Sequence, residues 1–259
     1  MKVNIHAGHC PDGGSGACGA VGLIKESTEA RKVVKYAKYY LELAGVTVYD
    51  CTCDDQVNKN ECLRRIVAKC NEHDVDLDIS VHFNDGANPN ADGKTTGTED
   101  YVLSKSGSTL KLEVAERFNE AMKEQGFKNR GIKVKKLYVL QNTKAPAILV
   151  EVAFVNDPED VELYLKIGPK AIGKILAEAI VGKEIKEVIR YKTTAKSLNL
   201  RETPGMDGKV ILSLKEGGIV KNLGKEKTVK GITWVNVQAT VSGDKHKGWM
   251  SKRYLKVYE

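Results

Sequence analysis

Cysteine is absent after residue 70: all six (Cys10, Cys18, Cys51, Cys53, Cys62 and Cys70) fall in the first part of a 259-residue chain. A chain this long can bury a full hydrophobic core and needs no disulfide framework. Cys51-Thr52-Cys53 lacks the CxxC spacing of a structural zinc site, so the reading is of reduced, mostly buried thiols. Long apolar runs are also missing. The longest, Ala145–Val155, contains Pro146 and Glu151 and is too short to cross a bilayer. Met1-Lys2-Val3-Asn4-Ile5-His6 has neither an apolar h-region nor a small-residue cleavage site, which reads as synthesis in the cytoplasm without a Sec signal. The phosphate-loop pattern GxxxxGK[ST] is absent. So is a nucleophile elbow, because Gly14-Ser15-Gly16 has no strand-turn-helix context. Acidic residues thin out toward the end. From Arg190 onward there are 15 Lys and Arg against 6 Asp and Glu, whereas residues 1–189 hold 26 basic and 28 acidic groups. A neutral body with a basic tail points to a polyanion for the tail: nucleic acid, anionic membrane or anionic wall polymer. A merely solvated basic surface is the plain alternative.

What is there is an alternation of strand and helix signals. Lys2–His6, Val46–Tyr49, Leu77–His82, Gly97–Leu103 and Ala147–Val152 read as strands, and Val134–Leu140 as extended. Helices are expected from a Ser27 or Thr28 cap to about Ala44, from Asn60 to Asn71, from a Ser108 cap to Gly126, from Asp157-Pro158, and from Gly168-Pro169 to Val181. This predicts a layered α/β domain over 1–181. Residues 182–192 read as a linker. Short β pieces separated by Gly, Asp and Pro turns over 193–259 predict a small all-β barrel. No internal repeat is visible.

Four residues carry the chemistry. His9, Glu26 and His82 offer two imidazoles and a carboxylate, a three-ligand set that leaves a catalytic zinc one position for water. Each has an ordinary alternative. His9 fits a turn, Glu26 fits a helix start favoured by the dipole, and His82 fits a strand end, which is also where α/β sheets place ligands. Glu151 interrupts an apolar strand, where an ionised carboxylate is expensive unless paired or near a metal. Arg64, Arg65 or Arg130 is the plain candidate partner. Otherwise Glu151 is placed to move the proton of an attacking water. His6 is three residues from His9 on an extended segment and should face elsewhere. Cys10, beside His9, is positioned to perturb a bound metal. Asn84, Tyr101, Arg130 and Asn156 are candidate substrate or supporting contacts, with core and turn roles as alternatives.

These motifs resemble the type-3 family of N-acetylmuramoyl-L-alanine amidases over most of residues 1–180. Ala7-Gly8-His9 resembles its opening Pro-Gly-His element, and Gly22-Leu23-Ile24-Lys25-Glu26 its Glu-ligand segment. Ile79-Ser80-Val81-His82-Phe83-Asn84 is similar to its Ser-x-His-x-Asn block. Gly97–Tyr101, Asn129–Lys133 and Pro146–Asn156 follow in family order. His6, Cys10 and Ala153 depart from residues common there. The resemblance implies a twisted mixed sheet between helices and one Zn2+ per chain on His9, Glu26 and His82. It further implies Glu151 as the catalytic acid/base and cleavage between the muramic acid lactyl group and L-Ala of the stem peptide. In the tail, Leu198–Gly205, Thr233–Val237 and Gly248–Leu255 resemble bacterial SH3-type wall-binding modules.

Together these look like a phage endolysin acting at the bacterial cell wall, with peptidoglycan as substrate and tail ligand and anionic wall polymers as further partners. The expectation includes no nucleic acid, no membrane insertion, and a monomer or weak oligomer. A host autolysin, a zinc peptidase cutting within the stem, and a non-catalytic wall binder are the competing readings.

Overall fold

The computed structural model describes residues 1–11, 18–86, 91–187 and 189–258. Most of the glycine-rich segment after Pro11 and part of the polar loop after Asp85 therefore lie outside the described residues. The chain divides into two compact units, Met1–Ile185 and Lys186–Glu259. The first contains β1 (Lys2–Ala7), α1 (Glu26–Leu43), β2 (Thr47–Asp50), α2 (Lys59–Asn71), β3 (Leu77–Asn84), β4 (Thr98–Val102), α3 (Thr109–Glu124), β5 (Asn129–Val134), α4 (Tyr138–Asn142), β6 (Ala147–Phe154), α5 (Pro158–Ile167) and α6 (Pro169–Val181). Its sheet has the order β2-β1-β3-β6-β4-β5. Neighbours run parallel except β4 and β6, which are antiparallel. This is the mixed α/β sheet that the sequence predicts.

Strand alternation gives the sheet two unlike faces. Val3, Ile5 and Ala7 of β1, Ile79, Val81 and Phe83 of β3, and Ile148, Val150 and Val152 of β6 join the main core. Against them pack the apolar stripes of α1 (Val33, Val34, Ala37, Leu41), α3 (Val114, Phe118, Met122) and α6 (Ile172, Leu176, Ile180). Each such side chain contributes roughly 1.5–3 kcal/mol when fully buried. α6 approaches α1 closely at Gly173, where a Cβ would stand 2.7 Å from the Ala37 nitrogen, so Gly173→Ala would force the two helices apart.

The opposite face is smaller and unlike a plain core. Ile66 and Val67 of α2, Val139 and Leu140 of α4, and Leu149 pack there with Cys10, Cys51, Cys53, Cys62 and Cys70. By the same alternation, the remaining residues of β1 and β3 (Asn4, His6, Asp78, Ser80 and His82) point to this side.

Two local expectations change. Val134–Leu140 is not extended: β5 ends at Val134 and α4 begins at Tyr138. β4, its only ladder partner among the described residues, stops at Val102, and one helical turn lets the consecutive Val139 and Leu140 both be buried. α1 starts at Glu26 after Lys25, without a Ser27 or Thr28 cap, because Ser27 is already buried inside the first turn. α2 is capped by Asn58, whose side chain accepts from the Glu61 nitrogen.

The second unit contains β7 (Arg190–Thr193), β8 (Ser197–Arg201), β9 (Val210–Lys215), β10 (Ile219–Val229), β11 (Ile232–Val241), β12 (Asp244–Ser251), a short 3-10 turn at Lys252–Tyr254, and β13 (Leu255–Tyr258). Residues 190–192, read from sequence as connector, thus belong to a strand. The pairs are antiparallel in the order β13-β7-β10-β11-β12-β8-β9. Tyr191, Leu198, Leu200, Val220, Val235, Val237, Ala239 and Met250 fill the core. Trp234 is buried as well.

Candidate active site

Three elements deliver the candidate metal ligands. β1 ends at Ala7 and the chain turns at His9, which takes the left-handed φ of 66°. The preceding glycine makes the turn workable: a Cβ on Gly8 would stand 2.1 Å from the His82 ring. β3 carries His82. α1 presents Glu26 in its first turn, fixed by the Ala20 nitrogen, which donates to Oε2 at 2.7 Å. The Phe83 nitrogen donates to the other oxygen. Gly19, with φ of +78°, leaves space beside Glu26, since a Cβ there would lie 2.4 Å from Oε2.

The three side chains converge. His82 Nδ1 is 2.8 Å and His9 Nε2 3.4 Å from Glu26 Oε1. The two imidazoles meet edge-to-face, with centroids 5.0 Å apart. Donors around a tetrahedral zinc, at about 2.0–2.1 Å from the ion, lie about 3.3 Å apart; the two separations from Glu26 bracket that spacing, and all three donors lie within 4.8 Å of one another. Ser80 Oγ is 3.0 Å from His82 Nε2. His82 Nδ1 is hydrogen-bonded to Glu26 Oε1; the tautomer with its hydrogen on Nε2, donated to Ser80 Oγ, would free the Nδ1 lone pair for a metal. Burial opposes ionisation of Glu26, but hydrogen bonds from His82 and His9 win and hold its carboxyl far below the usual range. His9, Glu26 and His82 therefore form a candidate metal-binding group, and the two glycine gaps that accommodate it fit that use.

Glu151 lies next to this group. It pairs in register with His82 on β3 and with Glu99 on β4. Its Oε2 is buried and, among the described residues, has no hydrogen-bond partner. Burial, then repulsion from Glu26 and Glu99, raises its pKa well above the ordinary carboxylate value. The arginines considered as partners are engaged elsewhere: Arg64 with Glu61, Arg65 with Glu61 and Asp55, and Arg130 with Glu99. His6 is buried on the same side, and desolvation followed by the His82 charge pushes its pKa down to about 3. It stands outside the three-ligand group.

The supporting residues converge on a carboxylate that the sequence reading did not single out. Glu99 accepts from Asn84 Nδ2 at 2.9 Å, Tyr101 OH at 2.5 Å, Arg130 Nε at 2.5 Å, and Lys133 Nζ. Burial opposes its charge, yet these donors bring its pKa down to about 2. The usable signal was its spacing: Glu99 and Tyr101 alternate on the β4 face that meets Glu151. Asn156 is half-buried just beyond β6 and belongs to none of these contacts to Glu99.

Comparison with known proteins gives the family. Residues 3–201 match the N-acetylmuramoyl-L-alanine amidase family model and residues 196–256 match the bacterial SH3 domain. An uncharacterized protein of Clostridium perfringens is 37% identical over 87% of this chain and 66% of its own length. The endolysin of Bacillus phage SPP1 is 32% identical over 63% of this chain and 58% of its own. The chain thus spans roughly half to two-thirds of the curated relatives it matches. Among solved structures, the catalytic domain of the CD27L endolysin targeting Clostridia Difficile is similar, with a TM-score of 0.62 and 28% identity, covering 72% of this chain and 99% of that one. With its matching residues spanning both the sheet and the convergent site, the chain belongs to the N-acetylmuramoyl-L-alanine amidase family.

Proposed function

We propose that this protein is a zinc-dependent peptidoglycan amidase of the phage-endolysin type. It cuts the amide between the lactyl group of N-acetylmuramic acid and the L-alanine of the stem peptide. The observation that carries the reading is Glu151 Oε2: a buried carboxyl oxygen without a partner among the described residues, one strand from His82 and close enough to Glu26 to feel its charge. An unpaired buried carboxylate is costly, and this one stands beside the candidate metal-binding group, where a proton carrier has to be left open.

His9, Glu26 and His82 would hold a zinc ion, which when bound would supply a Lewis acid for the scissile carbonyl and for the attacking water. Glu151 Oε2 accepts a proton from that water and passes it to the departing nitrogen. A C–O bond forms as the C–N bond breaks, leaving a lactyl carboxylate and, with both protons of the water on its nitrogen, the ammonium group of L-Ala. Glu99 keeps its negative charge on Asn84, Tyr101, Arg130 and Lys133, which fixes these side chains beside Glu151 and disfavours a second negative charge there.

The SH3-like unit holds the enzyme on peptidoglycan or on anionic wall polymers, where the enzyme acts. It has a groove of about 370 Å³ lined by Ser197, Asn199, Arg201, Trp234, Arg253 and Tyr254 among others. No helix among the described residues is long and apolar enough to cross a membrane.

The test is mass spectrometry of purified peptidoglycan digested by wild type, by Glu151→Ala, and by wild type with chelator. Stem peptides with a free L-Ala N-terminus should appear with untreated wild type alone. Peptides cut within the stem would make the enzyme a peptidase, and uncut wall would make it a binding protein.

A further inference from the structure

The cysteine-rich face holds a second convergence. Cys51 and Cys70 form one pair, close enough that Cys51, together with burial, raises the pKa of the Cys70 thiol. Cys10, Cys53 and Cys62 form a separate trio, 0%, 0% and 2% exposed, with their sulfur atoms all within 4.8 Å of one another. None is in a disulfide. They come from three different segments. Cys10 follows His9 in the turn after β1, Cys53 follows β2, and Cys62 lies in the first turns of α2.

We propose that Cys10, Cys53 and Cys62 form a second metal site, separate from His9, Glu26 and His82, that binds zinc through three thiolates. A Zn–S bond of about 2.3 Å places sulfurs about 3.8 Å apart in tetrahedral geometry and about 4.0 Å apart in trigonal geometry. The trio reaches that spacing with sulfur shifts of about 1 Å or less. An all-sulfur donor set selects a soft or borderline cation and rejects magnesium and calcium.

The surroundings suit such a site. Cys10 Sγ donates its proton to the Val57 carbonyl at 3.2 Å, and metal binding would release that proton. Arg31 donates to the carbonyls of both His9 and Cys53, at 3.1 and 2.8 Å, and so ties two of the three segments together. A cavity of about 20 Å³ beside Cys62, lined also by His6, His9, Lys59, His82 and Val139, has room for one water. Because Cys10 is bonded to His9 through the backbone, an ion here would also pin the left-handed turn that aims the His9 imidazole.

The test uses the full chain, stripped of metal under mild conditions and reloaded with Zn2+ or Co2+. Wild type should bind two ions per chain, and its cobalt form should show strong thiolate-to-cobalt charge transfer in the near ultraviolet. Cys53→Ser and Cys62→Ala, checked for native circular dichroism, should bind one ion and lose the band. His82→Ala should bind one ion and keep it. If the amidase reading fails, the histidine arm changes while the thiolate band stays, so the two failures are separable. The wild-type spectrum decides alone if the cysteine variants do not fold. A wild-type protein without thiolate absorption, or one whose intact mass is two hydrogens low from a disulfide within the trio, overturns the proposal.

Discussion

His82 and Glu151 are register partners on the neighbouring parallel strands β3 and β6, and Glu99 pairs with Glu151 from the other side on β4. Three ionisable side chains thus stand in a row across three strands. Their environments push the two carboxyls apart. Glu99, despite its burial, is drawn down by Lys133, Tyr101 and Arg130, whereas Glu151 is raised by burial and by its charged neighbours. Such separation is how one site keeps one carboxyl charged and leaves another free to exchange a proton.

Replacing Glu151, the proposed proton carrier, should therefore remove catalysis without emptying the site. Glu151→Gln keeps the shape and abolishes the titration. The expected loss in amide cleavage is about 10²–10⁴-fold, the usual contribution of a general acid/base. Metal content should equal that of wild type. Residual activity within about tenfold of wild type would show that another group moves the proton.

The glycine gaps make a different prediction. Gly8→Ala places a methyl 2.1 Å from His82 Cε1, and Gly19→Ala one 2.4 Å from Glu26 Oε2 at a φ of +78°. Overpacking of this kind is typically destabilising by about 1–3 kcal/mol, but here the ligands themselves must move. Both variants should lose zinc affinity far more than they lose thermal stability. Equilibrium dialysis alongside calorimetry checks this; full zinc affinity in Gly8→Ala would mean that the ring does not need its present position.

The convergence of His9, Glu26 and His82 was legible because each sits in a sequence context with a physical reason. Glycine flanks His9, a strand precedes His82, and Glu26 opens a helix. Glu151 was the clearest, being a carboxylate inside Ala147–Val155 that nothing local could neutralise. Glu99 was harder to see, because it lies in the polar stretch Thr98-Glu99-Asp100-Tyr101 and its cationic partners are 31 and 34 residues away. α4 was misread because its apolar residues also suit a strand, and only the end of β4 at Val102 shows that no partner continues. The thiol trio has no spacing motif, since its three segments meet only in the folded sheet.

Glu99 also gives a signed pH dependence. Its folded pKa, about 2, lies below its ordinary value of 4.5. The stability it contributes is present above about pH 4.5 and is lost as pH falls toward 2. Glu99→Gln should therefore be less stable than wild type at neutral pH, by about 1–3 kcal/mol as hydrogen bonds to a charged acceptor are lost. The gap should narrow as both are acidified from 4.5 toward 2. Urea denaturation at several pH values measures it, and a gap that widens on acidification would contradict the assignment.

Asp100 is the opposite case. It is fully buried, neither carboxyl oxygen has a hydrogen-bond partner among the described residues, and burial followed by the Glu99 charge raises its pKa well above 3.8. A raised carboxyl contributes stability that is full below its unfolded pKa and declines as pH rises. Asp100→Asn removes the titration with little change of volume. It should match wild type in urea near pH 4 and exceed it near pH 8. Equal midpoints near pH 8 would mean that Asp100 carries its charge at little cost, which requires a compensating partner that the described residues do not show.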